Sequence, residues 1–110
     1  MDGRERRIGE NEALFRVVNE QATGMNVALA DVTESFTIVC ECGQIECLER
    51  LRVPPDVYER TRAHGARFFV LRGHVIPDTE SVVDEGDGYL IVEKDAGEPA
   101  DLAEALDPRE

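Results

Sequence analysis

The sequence predicts an α+β fold, and three observations point to it. Residues 4–30 contain no proline and repeat apolar residues at steps of three and four, which is the spacing of an amphipathic helix. Short runs rich in β-branched residues follow, separated by glycine, proline and polar turn residues. At 110 residues, the chain has the usual size of one domain and is too short for two independent cores. We therefore expect a single α+β domain over residues 1–94.

The N-terminal helix is predicted to run from residue 4 to about residue 30. Its apolar stripe consists of Leu14, Val18, Ala22, Met25, Leu29 and Val32. We expect this stripe to pack into the core, because no heptad pattern lasts long enough for a coiled coil. Gly24 costs about 1 kcal/mol relative to Ala in a helix interior, so the helix is expected to bend or break there.

The first β-hairpin is predicted to join residues 35–42 to residues 47–53. The first of these segments is rich in β-branched residues, and Gly43 begins a polar turn after it. In the returning segment, Leu51 and Val53 alternate with arginines, as expected for a strand with one face in the core and one in water.

A short helix and a buried strand are predicted next. Pro55 or Asp56 can open the helix, and His64-Gly65 offers a stop. Residues 67–72 form the most apolar short run of the chain, which predicts a central and largely buried strand.

The second β-hairpin is predicted from residues 81–84 and 89–94, which flank the turn-rich segment 85–88. The two hairpins together are expected to form a small mixed or antiparallel sheet. Residues 95–110 follow as an acidic tail, with Leu102 and Leu106 on one side of a marginal helix. We expect this tail to be flexible and dispensable for folding, because it carries too few apolar residues to offset its ordering entropy.

The charge of the chain restricts its partners. There are 24 acidic and 12 basic residues, so the formal net charge is −12. This charge repels phosphate backbones and anionic lipid headgroups, and no window has the roughly 18 apolar residues of a membrane span. We expect a cytoplasmic protein whose partner is another protein, neither a membrane nor a nucleic acid. One alternative is nucleic-acid binding through a local set of basic residues, which are Arg50, Arg52, Arg60, Arg62, Arg67 and Arg72.

Three cysteines carry the clearest chemical signal. Cys40 and Cys42 lie two apart, so their thiols share one face of an extended segment, and Cys47 returns after a turn. Tetrahedral zinc needs a fourth ligand, and His74 is the best candidate because it follows the predicted central strand. The spacing predicts one structural zinc ion per chain, although a thiolate-rich set also suits iron.

Other hypotheses for these residues are also compatible with the sequence. His64, Glu41 or Glu46 could replace His74 as the fourth ligand, although an imidazole beside a helix C-terminus is favourable without any metal. The cysteines could instead be buried as small hydrophobic residues, but polar neighbours disfavour that role.

Several of these pieces together resemble a family of small actinobacterial proteins. The resemblance rests on the helix at residues 4–20, Cys-x-Cys-x4-Cys at 40–47, Tyr-Glu-x-x-Arg at 58–62, the strand and Gly-His at 68–74, and Gly-Tyr-Leu-Ile-Val-Glu-Lys at 88–94. It implies a shared domain with a cysteine site and no particular activity. Family members commonly read Pro-Gly-His where this chain has Arg72-Gly73-His74.

Besides nucleic-acid binding, two functions are compatible with this sequence. The first is a zinc-stabilised protein-interaction module without enzymatic activity. The alternative is a thiol-based redox sensor or enzyme that uses Cys40, Cys42 and Cys47 directly. The acidic neighbours disfavour the alternative, because negative charge raises the pKa of a thiol and lowers its thiolate fraction.

Overall fold

The computed structural model describes residues 3–26, 35–44, 46–47 and 49–109, and it confirms the α+β prediction. The helices are α1 (Gly3–Asn26), α2 (Pro55–Arg62) and α3 (Glu98–Ala105). The strands are β1 (Phe36–Val39), β2 (Arg50–Val53), β3 (Arg67–Val70), β4 (Glu80–Gly86) and β5 (Tyr89–Lys94). Within the described ranges, the structure contains no helix that is both long and apolar enough to cross a membrane.

The strands form two antiparallel sheets instead of one. Strands β1 and β2 pair as the first predicted hairpin, with Phe36 opposite Val53. The second sheet has the order β3-β5-β4, and a bulge interrupts the β4–β5 pairing between Val82 and Asp84. The expectation that β3 is the central strand is therefore wrong, because β5 lies in the middle of this sheet and β3 lies at one edge. Strand β3 is nevertheless buried as predicted, since its apolar run reflects coverage of both faces and says nothing about its place in the sheet.

Two hydrophobic clusters cover the two faces of the three-stranded sheet. Along β3, Phe69 points into one cluster, while Phe68 and Val70 point into the other. The first cluster contains Phe36, Ile38, Leu51, Val53, Tyr58, Phe69, Tyr89 and Ile91. The second contains Cys40, Cys42, Ala66, Phe68, Val70, Leu90, Val92 and Ala103. Cys40 and Cys42 are thus fully buried members of a packed core cluster.

Helix α1 packs in the opposite orientation to the one predicted. Leu14 is 52% exposed and Val18 is 44% exposed, whereas Glu12, Arg16 and Asn19 are buried. The polar face is buried because partners elsewhere in the chain satisfy it. Arg16 donates hydrogen bonds to the carbonyls of Gly65 and Ala103, for example.

The far end of the predicted helix lies partly outside the described residues. Helix α1 continues through Gly24 to Asn26 without the expected break. Leu29 and Val32, the last two members of the predicted stripe, fall in the segment that the structure does not describe.

The C-terminal residues, which we expected to form a flexible tail, make contacts with the rest of the described chain. Helix α3 packs against α1, and Ala103 is buried. Beyond this helix, Arg109 forms ion pairs with Glu20 at 2.6 Å and Glu59 at 2.8 Å. These polar contacts hold the segment, while Leu106 stays 41% exposed. The expectation of a flexible tail was based on the small number of apolar residues in this segment, and that number contains no information about polar contacts.

A buried ionic group joins α1 to the three-stranded sheet. The Lys94 ammonium lies 2.7 Å from a Glu12 carboxylate oxygen and 2.9 Å from a Glu80 carboxylate oxygen. Burial raises the pKa of Glu12 to about 8, although Lys94 opposes the shift and Glu80 adds to it. Two carboxylates and one ammonium leave one excess negative charge, which a proton on Glu12 neutralises.

Candidate metal centre

The loop of the first hairpin brings the three cysteines together. Cys40 directly follows β1, and its backbone N–H donates to the Glu49 carbonyl at 2.9 Å, so the hairpin pairing continues past the strand. The Cys47 N–H donates to the Gln44 carbonyl at 2.9 Å and closes a tight turn. This turn carries the third thiol back toward the first two.

Gly43 is required for the turn in two ways. Its φ of +77° lies in the region that side chains disfavour. A Cβ atom there would also lie 2.8 Å from the Ile8 carbonyl oxygen and 2.8 Å from Glu12 Cγ. The cysteine loop therefore packs directly on α1, and Asn11 donates a hydrogen bond to the Gly43 carbonyl at 3.2 Å.

His74 reaches the cysteines through a separate turn after β3. The His74 N–H donates to the Leu71 carbonyl at 3.0 Å, and Gly73 between them has a φ of +86°. A positive φ at the third residue is the hallmark of a type II β-turn, which explains the glycine. Close approach does not explain it, because a Cβ on Gly73 would meet no atom of the described residues within 4 Å.

The ligand atoms of Cys40, Cys42, Cys47 and His74 all lie within 4.8 Å of one another. His74 Nδ1 lies 3.6 Å from both Cys40 Sγ and Cys47 Sγ. In a tetrahedral zinc site, bonds of about 2.3 Å to sulfur and about 2.0–2.1 Å to nitrogen separate the two ligand atoms by about 3.6 Å. The four side chains predicted from the sequence therefore form one cluster with the dimensions of a metal site.

The environment of the sulfurs favours thiolates only when a cation is bound. Burial raises the pKa values of the Cys40 and Cys42 thiols. The Cys47 sulfur raises both further, whereas the hydrogen bond between Cys40 and Cys42 raises the pKa of Cys40 and lowers that of Cys42. Backbone N–H groups act in the opposite direction, from Leu71 to Cys40 and from Gln44 to Cys42. These two thiols keep their protons at neutral pH unless a metal ion replaces them.

The competing fourth ligands lie elsewhere. His64 follows the C-terminus of α2, is exposed, and lines a cleft of about 250 Å³ with Arg60 and Arg67. Glu46 is exposed and does not belong to the cluster. The carboxylate of Glu41 is buried and binds Arg62. None of these three residues joins the cysteines.

Sequence reasoning missed the polar residues that surround the cysteine loop. Asn19 and Arg62 both bind Glu41, at 2.7 Å and 2.5 Å. The sequence does contain one signal for this network, which is that Glu41 is an acidic residue between two cysteines and close to an apolar strand. Its partners lie on helices distant in sequence, so local spacing could not identify them.

Four of the six arginines in the middle segment pair with acids, and the fourth pair joins Arg60 to Asp56 at 4.0 Å. Arg62 binds Glu41, Arg67 lies 3.0 Å from Glu93, and Arg72 lies 2.9 Å from Glu85. This pairing removes much of the local positive charge on which a nucleic-acid surface would depend.

Comparisons with family models, curated proteins and solved structures found no match to this chain. The resemblance to small actinobacterial proteins therefore stays a prediction. What the geometry defines is a small α+β protein with a Cys3His cluster suited to a metal ion.

Proposed function

We propose that this chain is a small protein-interaction module whose fold is stabilised by one structural zinc ion. The observation that carries the proposal is the convergence of four ligand atoms within 4.8 Å. Three sulfurs and one imidazole nitrogen match the donors that zinc accepts in structural sites. A metal held by four protein ligands has no open position for substrate, which supports a structural role over a catalytic one.

The energetics of the loop support metal-coupled folding. Ligands must be deprotonated before they bind zinc, and the free energy of binding then adds to the free energy of folding. Cys40, Cys42 and Cys47 lie on a loop of irregular backbone, and His74 follows a separate strand. One ion would cross-link these two segments. Such a link contributes most in a small domain, and this chain has only 110 residues and no tryptophan.

The surface supports the interaction part of the proposal. A net charge of −12 favours association with a basic partner surface in the cytoplasm, where thiols stay reduced. The outward apolar residues Leu14 and Val18 of α1 provide contact area that the described part of the chain leaves exposed. We infer that the partner is a protein, and that the module itself catalyses no reaction.

The test uses protein purified without added metal. Cys40→Ser, Cys42→Ser, Cys47→Ser and His74→Ala should each lower zinc content and melting temperature together, because the four ligands close one site. His64→Ala is the matched control and should change neither quantity. Metal-free wild type whose thiols react rapidly with an alkylating reagent would contradict the zinc proposal and favour the thiol-based alternative.

A further inference from the structure

The residue between the first two cysteines points away from them. Glu41 is fully buried, and its side chain lies on the opposite side of the segment from the thiols of Cys40 and Cys42. This follows from the alternation of side chains along extended backbone. A buried carboxylate needs partners, since its desolvation is otherwise strongly unfavourable.

Donors from three elements bind the Glu41 carboxylate. Arg62 of α2 donates to Oε1 at 2.6 Å and to Oε2 at 2.5 Å. Asn19 of α1 donates to Oε2 at 2.7 Å, and the backbone N–H of Phe69 in β3 donates to Oε1 at 2.9 Å. With these donors on both oxygens, the carboxylate is held in one position.

Two hydrogen bonds join Glu41 to β3. The Glu41 N–H donates to the Phe69 carbonyl at 2.8 Å, while the Phe69 N–H donates to the Glu41 side chain. Strand β3 leads directly into the turn that carries His74, and Leu71 on that path donates its N–H to Cys40 Sγ at 3.3 Å. Glu41 thus sets the register of the Cys40–Cys42 segment against the strand that delivers the imidazole.

We propose that Glu41, held by Arg62, is the positioning residue of the metal centre. This inference rests on the zinc site proposed above and adds that the site depends on a buried ion pair outside the ligand set. Arg62 has a second role in electrostatics. Zinc with three thiolates and a neutral imidazole carries a net charge of −1, so a neighbouring carboxylate is tolerated only beside a cation.

Glu41→Gln tests the positioning role, with Glu46→Gln as the matched control. Both changes remove one negative charge from the cysteine loop, but Glu46 is exposed. In Glu41→Gln the side-chain NH₂ would face one of the donors that bind the wild-type carboxylate, and two donors cannot form a hydrogen bond with each other. The Cys40–Cys42 segment therefore loses its fixed position. We expect the zinc dissociation constant, measured by competition with a chromophoric chelator, to rise about 10- to 100-fold for Glu41→Gln. For Glu46→Gln the change should be less than about twofold.

A second readout separates positioning from general stability. Cobalt(II) replaces zinc in thiolate sites, and its visible absorption reports the geometry of the ligands. The Glu41→Gln spectrum should shift and weaken relative to wild type. Leu51→Ala, which leaves a cavity in the cluster without cysteines, should lower the melting temperature but keep the wild-type cobalt spectrum. If Leu51→Ala changes the spectrum as much as Glu41→Gln does, the role of Glu41 is only structural.

Arg62→Lys keeps the inference testable if Glu41→Gln does not fold. This substitution retains the positive charge but loses the contact with both oxygens of Glu41. We therefore expect its zinc affinity to lie between that of wild type and that of Cys47→Ser, which serves as the control for a lost ligand. Wild-type affinity and spectrum in every Glu41 or Arg62 variant that folds would overturn the positioning role alone. Absence of stoichiometric binding by wild type would instead overturn the zinc proposal.

Discussion

Arg16→Met should destabilise the protein more than Leu14→Ala, which is the reverse of what hydropathy suggests. The buried Arg16 guanidinium donates to the Gly65 carbonyl at 2.7 Å and to the Ala103 carbonyl at 2.6 Å. It also lies 4.5 Å from the centre of the Phe68 ring. Leu14, two positions away, is 52% exposed.

The size of the difference follows from these contacts. Hydrogen bonds from a charged donor contribute about 1.5–3 kcal/mol each. A cation over an aromatic ring adds about 0.5–2 kcal/mol. Removing a buried cation also removes several kcal/mol of desolvation cost, so the net loss for Arg16→Met should be about 2–4 kcal/mol. Leu14→Ala gives up only part of a side-chain burial and should cost about 1 kcal/mol or less.

Urea unfolding followed by far-ultraviolet circular dichroism measures both changes in the free energy of unfolding. Arginine, methionine, leucine and alanine all favour helix, so the effects of both substitutions on helix propensity are small beside the expected difference. If Leu14→Ala costs more than Arg16→Met, the outward orientation of the apolar stripe is wrong and the original amphipathic prediction holds.

Three further predictions concern buried charge, the C-terminal segment and the core. Burial raises the pKa of Glu12 from 4.5 to about 8, so the unfolded chain loses this proton first and stability should fall as pH rises between these values. Glu12→Gln should flatten that fall in urea titrations, and an unchanged slope would contradict the assignment. Deleting residues 97–110 should lower the melting temperature by several degrees, because Arg16 loses the Ala103 carbonyl; an unchanged melting temperature would restore the dispensable tail. Val70→Asp should abolish cooperative folding, since it buries an unpaired charge at a fully buried site, and a normal melt would refute its core position.

Local signals predicted the strands and turns well. The runs around Ile38, Leu51 and Ile91 are short, rich in apolar and β-branched residues, and bounded by glycine or proline, so local propensity and packing agree. The four cluster residues were also predictable, because turn geometry after a strand restricts where Cys47 and His74 can lie. Spacing along the chain carries that information.

The orientation of α1 could not be predicted in the same way. Periodicity shows which residues share a helix face, but it does not show which face the core will accept. Glu12 and Arg16 are buried because Lys94 and two backbone carbonyls meet them, and those partners lie far away in sequence. The same reason explains why the role of Glu41 could not be inferred. A polar side chain can be assigned to the interior only when its partners are known.

X-ray absorption at the zinc K-edge, on protein purified without added metal, tests the central claim most directly. The zinc proposal predicts that the metal is bound by three sulfurs at about 2.3 Å and one nitrogen at about 2.0–2.1 Å, with one zinc per chain. This shell corresponds to Cys40, Cys42, Cys47 and His74. A shell dominated by oxygen, or protein that carries no zinc while folding normally, would contradict the account.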